Sequence, residues 1–202
     1  LSFPVGMKKL NGEIAKEGET HRLARGLLEV DIDMPGSGEV TVAVTHLDHI
    51  AEAQREVQLD HVVEQLSGKV GSLVLLGDAN ALTRSDYDDE QWKTLEDNNK
   101  KNKWLPPGHG CLSRLEALDL TDVFAVANSR ADSPASTSPP SLASLPPSAK
   151  FTAHAHRPLF RIDYCFASSG YLREGVSARV HSDLLLSDHM PTSFDFTIPS
   201  KL

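Results

Sequence analysis

A chain of 202 residues is long enough to bury one sizeable core, and its 40% apolar and 24% charged residues are ordinary for a globular protein. Apolar runs such as Leu73–Leu76 are far too short to span a membrane, and a net charge of −8 argues against a face built to grip long duplex nucleic acid. Its two cysteines, Cys111 and Cys165, form neither a CxxC pair nor a disulfide framework, which points to a reducing, intracellular compartment, cytoplasmic or nuclear.

The alternation in Arg25–Asp33 predicts a strand, Pro35-Gly36-Ser37-Gly38 a turn, and the β-branched Glu39–Thr45 a second strand, together a hairpin. Ile50 to Leu66 reads as a helix. Ile50, Ala53, Val57, Leu59, Val62, Val63 and Leu66 form the apolar face, and Glu52, Arg55, Glu56 and Glu64 the polar one. Ser72–Leu76 is continuously apolar and ends in Gly77-Asp78, as a strand buried on both faces does. Thr83–Lys103 is polar and charged, a surface helix with loops, and Leu115–Val126 is a further helical candidate. Asn128–Lys150 is rich in Ser, Pro and Ala and reads as a disordered insertion. Arg161–Ala167, Val176–His181 and Thr192–Ile198 are strands, the last with Phe194, Phe196 and Ile198 on one face. The whole is expected to be a single α/β layered domain over residues 1–202, and a monomer.

Four segments at strand ends carry chemistry. In Gly77-Asp78-Ala79-Asn80, Asp78 offers an anionic oxygen and Asn80 an amide donor and acceptor, a set that suits a hard cation; a simple turn explains it equally well. In Ser187-Asp188-His189, His189 suits proton transfer and Asp188 either orients it or binds metal, unless the triplet is only a surface loop. His46, at the end of Thr45-His46-Leu47, is either a site residue or a structural histidine. Asp163 lies inside an apolar strand and needs a partner: a histidine whose tautomer it would fix, or the neighbouring Arg161.

The order of these four segments, with the helix between the first two, resembles the endonuclease/exonuclease/phosphatase superfamily from about residue 40 to 195. Arg55 and Gln58 also resemble that family's helix pattern. The resemblance implies a DNase I-like, four-layered α/β sandwich with two mixed β-sheets, and hydrolysis of a phosphoester with Mg²⁺ or Mn²⁺. It gives His46, Asn80 and His189 contacts to the substrate phosphate, and makes Asp78 the holder or activator of the attacking water. It gives Asp163 the orienting of His189, and Asp78, Asn80 and Asp188 metal contacts. Family members begin with strands carrying an Asn and a Gln-Glu pair, and neither is found here, so the N-terminal third of the fold is expected to be missing. Glu13, Glu17 and Glu19 lack matching context.

Phe151-Thr152, with His154, His156, Arg157 and Arg161 as a cationic cluster, leans towards a phosphodiester or nucleic-acid substrate, and the acidic Asp86–Trp92 is either a substrate rim or a solvated helix. The rival readings are a catalytically inactive remnant acting as a binding or scaffolding domain, and a metal-free acid–base hydrolase using His46 or His189.

Overall fold

The computed structural model describes residues 5–16, 19–129, 142–154 and 159–200; for 5–16 and 19–24 only the backbone is described. Three strands open it: β1 (Val5–Lys16), β2 (Glu19–Met34) and β3 (Gly38–His46), each antiparallel to the next. Gly36 and Gly38 take positive φ in the β2–β3 turn, which the Pro-Gly-Ser-Gly signal anticipated. β1 and the extension of β2 to Glu19 were not anticipated. Glu13 and Glu19 fall on these strands; Glu17 lies outside the described residues.

Helix α1 (Glu52–Leu66) then carries the chain across to β4 (Leu73–Asp78), which lies parallel to β3. A parallel neighbour requires such a crossover. Its buried face differs from the sequence expectation. Arg55, Gln54 and Gln58 are buried beside Leu59, Val62 and Leu66, while Ile50 and Val57 are exposed. The polar side chains turn inward because the segment after β3 needs them: Gln58 Oε1 accepts the Asp48 amide at 2.8 Å, and Arg55 Nη1 donates to the Asp48 carbonyl at 3.0 Å.

Helix α2 (Asp89–Lys101) starts with a capping box, Asp88 and Gln91 bonding reciprocally. The helix expected over Leu115–Val126 is instead three elements: a 3₁₀ segment (Cys111–Leu118), a short strand β5 (Leu120–Asp122) and α3 (Val123–Ser129). Asp119 at φ 53° breaks the helical path, and Leu120–Asp122 pairs with β6 (Asp163–Ser168).

Of the expected disordered insertion, 130–141 lies outside the described residues. Its ends are structured: Asn128 and Ser129 close α3, and Pro147–Lys150 forms a short helix α4. The reason is Lys150, whose buried ammonium donates to the carbonyls of Asp86, Leu142 and Ala143 and to Gln91 Oε1.

The large sheet runs β1-β2-β3-β4-β6-β5 and is mixed. Among the described residues the second sheet pairs β7 (Ser177–Val180) with β8 (Thr192–Asp195), antiparallel. Leu27, Ala43, Leu73 and Leu75 face Leu59, Val62 and Leu66 of α1. On the opposite side Val40, Val74, Cys165 and Ala167 meet Tyr171 and the partly buried Phe194, Phe196 and Ile198. Each aliphatic side chain so buried contributes about 1.5–3 kcal/mol, which is what holds helix, sheet and sheet together as an α/β sandwich.

Candidate functional site

Register and parity place three of the expected residues in one row. His46, the last residue of β3, pairs with Asp78, the last of β4, and Asp78 pairs with Asp163, the first of β6. Side chains alternate along a strand. His46, Asp78 and Asp163 therefore follow the parity of Val42, Val74 and Cys165 and lie on the side of the large sheet that meets the small one. Gly77 makes the close approach possible: it sits at φ 145°, and a Cβ there would lie 1.8 Å from the Thr45 carbonyl oxygen.

His46 Nε2 is 3.4 Å from Asp78 Oδ2. The fourth residue, His189, arrives from the loop before β8. It is fixed by a bridge to Ala153 and by the Met190 amide donating to the Thr152 carbonyl at 2.8 Å. Its Nδ1 lies 2.9 Å from Asp163 Oδ2, and its Nε2 is 3.9 Å from Asp78 Oδ2. Asp163 thus pairs with His189 and not with Arg161. The Thr152 hydroxyl oxygen accepts the amides of Ile162 and Asp163, both at 3.2 Å, so Thr152 holds the backbone that carries this carboxylate.

Asn80 takes φ 47°; its amide donates to Asp78 Oδ1 at 2.8 Å and its Nδ2 to the Leu47 carbonyl at 3.1 Å. The left-handed turn is one that Asn tolerates. Asp188 is exposed, accepts a bond from the Ser187 hydroxyl, and is not brought into the group that Asp78, Asp163 and His189 form.

Burial pushes the Asp78 carboxyl above its usual range; the Asp163 charge adds to this, and the Asn80 amide, His46 and His189 only partly offset it. For His189 burial works the other way, but the Asp163 hydrogen bond and charge, with Asp78 and Asp188, outweigh it and hold the imidazole above its ordinary value. Two carboxylates and an imidazole offer ligand atoms all within 4.8 Å of one another. A half-buried pair of carboxylates with this oxygen-rich donor set fits a hard divalent cation.

The expected cationic cluster is not what the structure holds. Arg161 is 1% exposed and its guanidinium is committed to Asp86 and Asp122, both at 2.7 Å, so it faces the interior rather than a phosphate. Asp86, in the acidic stretch read as either a substrate rim or a solvated helix, is the buried partner. His156 and Arg157 lie outside the described residues. His154 does line the cleft beside the site, with Asn80 and His189. Sequence reasoning missed Asp48, whose Oδ1 accepts the amides of Ile50 and Ala51 at 2.7 and 2.8 Å and so shapes the turn after His46. An Asp two residues before the amide it caps is the signal that could have shown it.

The sequence model of the Endonuclease/Exonuclease/phosphatase family matches residues 13–189. The chain belongs to that family. Among curated proteins none matches this sequence. Solved structures share its fold. A functionally unknown protein from Enterococcus faecalis is 17% identical, covers 97% of this chain and 66% of its own length, and superposes with a TM-score of 0.61. A mannosyl-6-phosphatase from Bacteroides thetaiotaomicron is 15% identical over 96% of this chain and 67% of its own, with a TM-score of 0.58. A family member from Beutenbergia cavernae is 20% identical over 96% of this chain and 53% of its own, with a TM-score of 0.60. The chain therefore spans between about half and two thirds of the length of these structures. The mixed α/β architecture is that of the endonuclease/exonuclease/phosphatase fold. No described helix is long and apolar enough to cross a membrane.

Proposed function

We propose that this chain carries the phosphate-handling part of a divalent-metal-dependent phosphoesterase, acting on a phosphodiester such as a nucleic-acid linkage. The observation that supports this reading is the row His46, Asp78, Asp163 with His189 bonded to the last and facing the middle one. Asp78 stands in the middle of that row, with His46 Nε2 at 3.4 Å and His189 Nε2 at 3.9 Å from its Oδ2. It holds the attacking water and takes its proton as the water oxygen bonds to phosphorus and the ester oxygen leaves. Asn80 positions that water and the phosphate. His46 and the Nε2 of His189 donate to the phosphoryl oxygens, where charge builds up. Asp163 keeps His189 in the tautomer and orientation this needs. The Asp78 and Asp163 carboxylates, which offer ligand atoms close to one another and to His189, would hold Mg²⁺ or Mn²⁺, with Asn80 beside them; Asp188, exposed and outside that group, is not part of the set. When bound, such an ion neutralises phosphoryl charge and lowers the pKa of its water.

The test is turnover of bis(p-nitrophenyl) phosphate and p-nitrophenyl phosphate by the full-length protein, with chelator and with Mg²⁺ or Mn²⁺ restored. We expect activity that chelator abolishes and either ion restores, greater on the diester. Chelator-resistant turnover would turn the reading towards metal-free acid–base chemistry using His46 or His189. No turnover together with no calorimetric Mg²⁺ or Mn²⁺ binding would turn it towards a catalytically inactive binding domain.

A further inference from the structure

Helix α1 reaches the catalytic row through two residues. Leu47 and Asp48 follow His46, and the backbone amide and carbonyl of each are bonded. On the site side, the Leu47 amide donates to the Asp78 carbonyl at 2.9 Å, and the Leu47 carbonyl accepts Asn80 Nδ2 at 3.1 Å. On the helix side, the Asp48 amide donates to Gln58 Oε1 at 2.8 Å, and the Asp48 carbonyl accepts Arg55 Nη1 at 3.0 Å. Asp48 is itself buried and turns the chain into α1, its Oδ1 accepting the amides of Ile50 and Ala51.

Gln58 is the inner end of this bridge. It is fully buried, on the face of α1 where Leu59, Val62 and Leu66 pack on the large sheet, so its side chain is held in close-packed surroundings. Its other amide atom, Nε2, is buried with no partner among the described residues, as are both amide atoms of Gln54 and the Nε of Arg55. A buried donor left without a partner is destabilising. An apolar side chain of the same length would fill the space beside Leu59 and Val62 without that penalty. Packing alone therefore does not explain a glutamine here. What the glutamine adds is one oxygen at the Asp48 amide, two residues from His46 and one from the carbonyl that holds Asn80. Local rules of core composition are broken in this way where a site demands it.

We infer that Gln58 is a positioning residue for the reaction: through Asp48 it fixes the Leu47 carbonyl, and through that carbonyl the side chain of Asn80 beside Asp78. The inference rests on the proposed function. The backbone of Asn80 is already set by its φ of 47° and by its amide on Asp78 Oδ1, so the Leu47 carbonyl is the contact that sets its side chain. That bond turns Nδ2 towards Leu47 and Oδ1 away from it, an acceptor for the attacking water. Misplacing such a group by about 1 Å can slow a reaction about a hundredfold.

The experiment measures kcat and KM of the full-length protein on bis(p-nitrophenyl) phosphate with Mg²⁺ or Mn²⁺. Gln58→Met removes the oxygen, Gln58→Asn withdraws it by one methylene, and Gln58→Glu keeps it in reach. Val62→Ala, one turn further along the same buried face, opens a cavity but leaves the Asp48 amide its acceptor. We expect kcat to fall at least about tenfold in Gln58→Met and Gln58→Asn with KM little changed, and to be mostly retained in Gln58→Glu. Val62→Ala keeps its kcat although its Tm falls. Near-normal kcat in Gln58→Asn, a Gln58→Glu no more active than Gln58→Asn, or an equal loss in Val62→Ala overturns the inference and leaves the phosphoesterase reading standing. These comparisons hold without Gln58→Met should that variant not fold. If the wild type turns nothing over, the phosphoesterase reading fails, and hydrogen exchange followed by NMR still decides the inference. Asn80 Nδ2 protons that exchange at least about tenfold faster in Gln58→Asn than in the wild type and Val62→Ala support it; an unchanged rate overturns it.

Discussion

Gly77→Ala tests whether the approach of β3 to β4 is what assembles the row. The new Cβ would lie 1.8 Å from the Thr45 carbonyl oxygen, 2.9 Å from its carbonyl carbon and 3.2 Å from its nitrogen. Those are backbone atoms in a parallel ladder where Thr45 pairs directly with Gly77, so no flexible side chain can swing aside. The φ of 145° is also one that an L side chain rarely adopts. Backbone strain of this kind costs about 1–3 kcal/mol. Forcing an extra methyl into packed surroundings costs about 1–3 kcal/mol more. A loss near 4 kcal/mol is a large part of the roughly 5–15 kcal/mol that holds a domain together. For a chain of this size it lowers Tm by about 8–16 °C. Urea and thermal unfolding of the two proteins measure it, with Gly68→Ala as the comparison, because a Cβ at Gly68 meets nothing within 4 Å. A Gly77→Ala protein within about 1 kcal/mol of wild type would show that β3 and β4 are not held at this distance, and the reasoning about the row would fail.

Asp163→Asn removes the charged partner of His189 and should lower kcat by about two to four orders of magnitude with KM little changed. In the metal-free protein the His189 imidazole should then titrate lower, as followed by NMR; an unmoved titration means that the 2.9 Å bond to Asp163 does not hold in solution. Arg161→Met leaves Asp86 buried without its ion-pair partner and should cost about 3–5 kcal/mol in urea unfolding. A small loss there would mean the guanidinium is not the internal strut described. Asp31 is held below the usual carboxylate range by its bonds from Thr41 and Lys69. Its folded pKa is depressed, so its contribution is present above the unfolded value of about 3.9 and is lost as pH falls through the folded one. The gap in urea midpoint between wild type and Asp31→Asn should therefore be open at pH 7 and narrow below pH 4, and a gap independent of pH would refute it.

Which parts of this were legible in sequence follows from the range of the interactions involved. The β2–β3 hairpin, α1 and β4 are written in local pattern, and each is found where expected to within a few residues, except that β2 starts six residues earlier. Leu115–Val126 misled because its apolar spacing is helical, while the strand inside it exists only by pairing with Asp163–Ser168, some forty residues on. Arg161 misled for the same reason. Its partners lie 75 and 39 residues away, and a cation read beside other cations looks like surface until those partners are seen. The site itself shows both sides of this limit. The motifs name His46, Asp78, Asn80, Asp163 and His189, but not that three of them form one row. That row needs the register of β3 on β4 and of β4 on β6, and it needs all three at the same strand parity. A one-residue slip in either pairing would turn a side chain to the α1 face of the sheet. What fixes both pairings is the two-sided burial of β4, with Leu73 and Leu75 to one side and Val74 to the other. The apolar run that looked like mere core in the sequence is thus what aims Asp78 at His46 and Asp163.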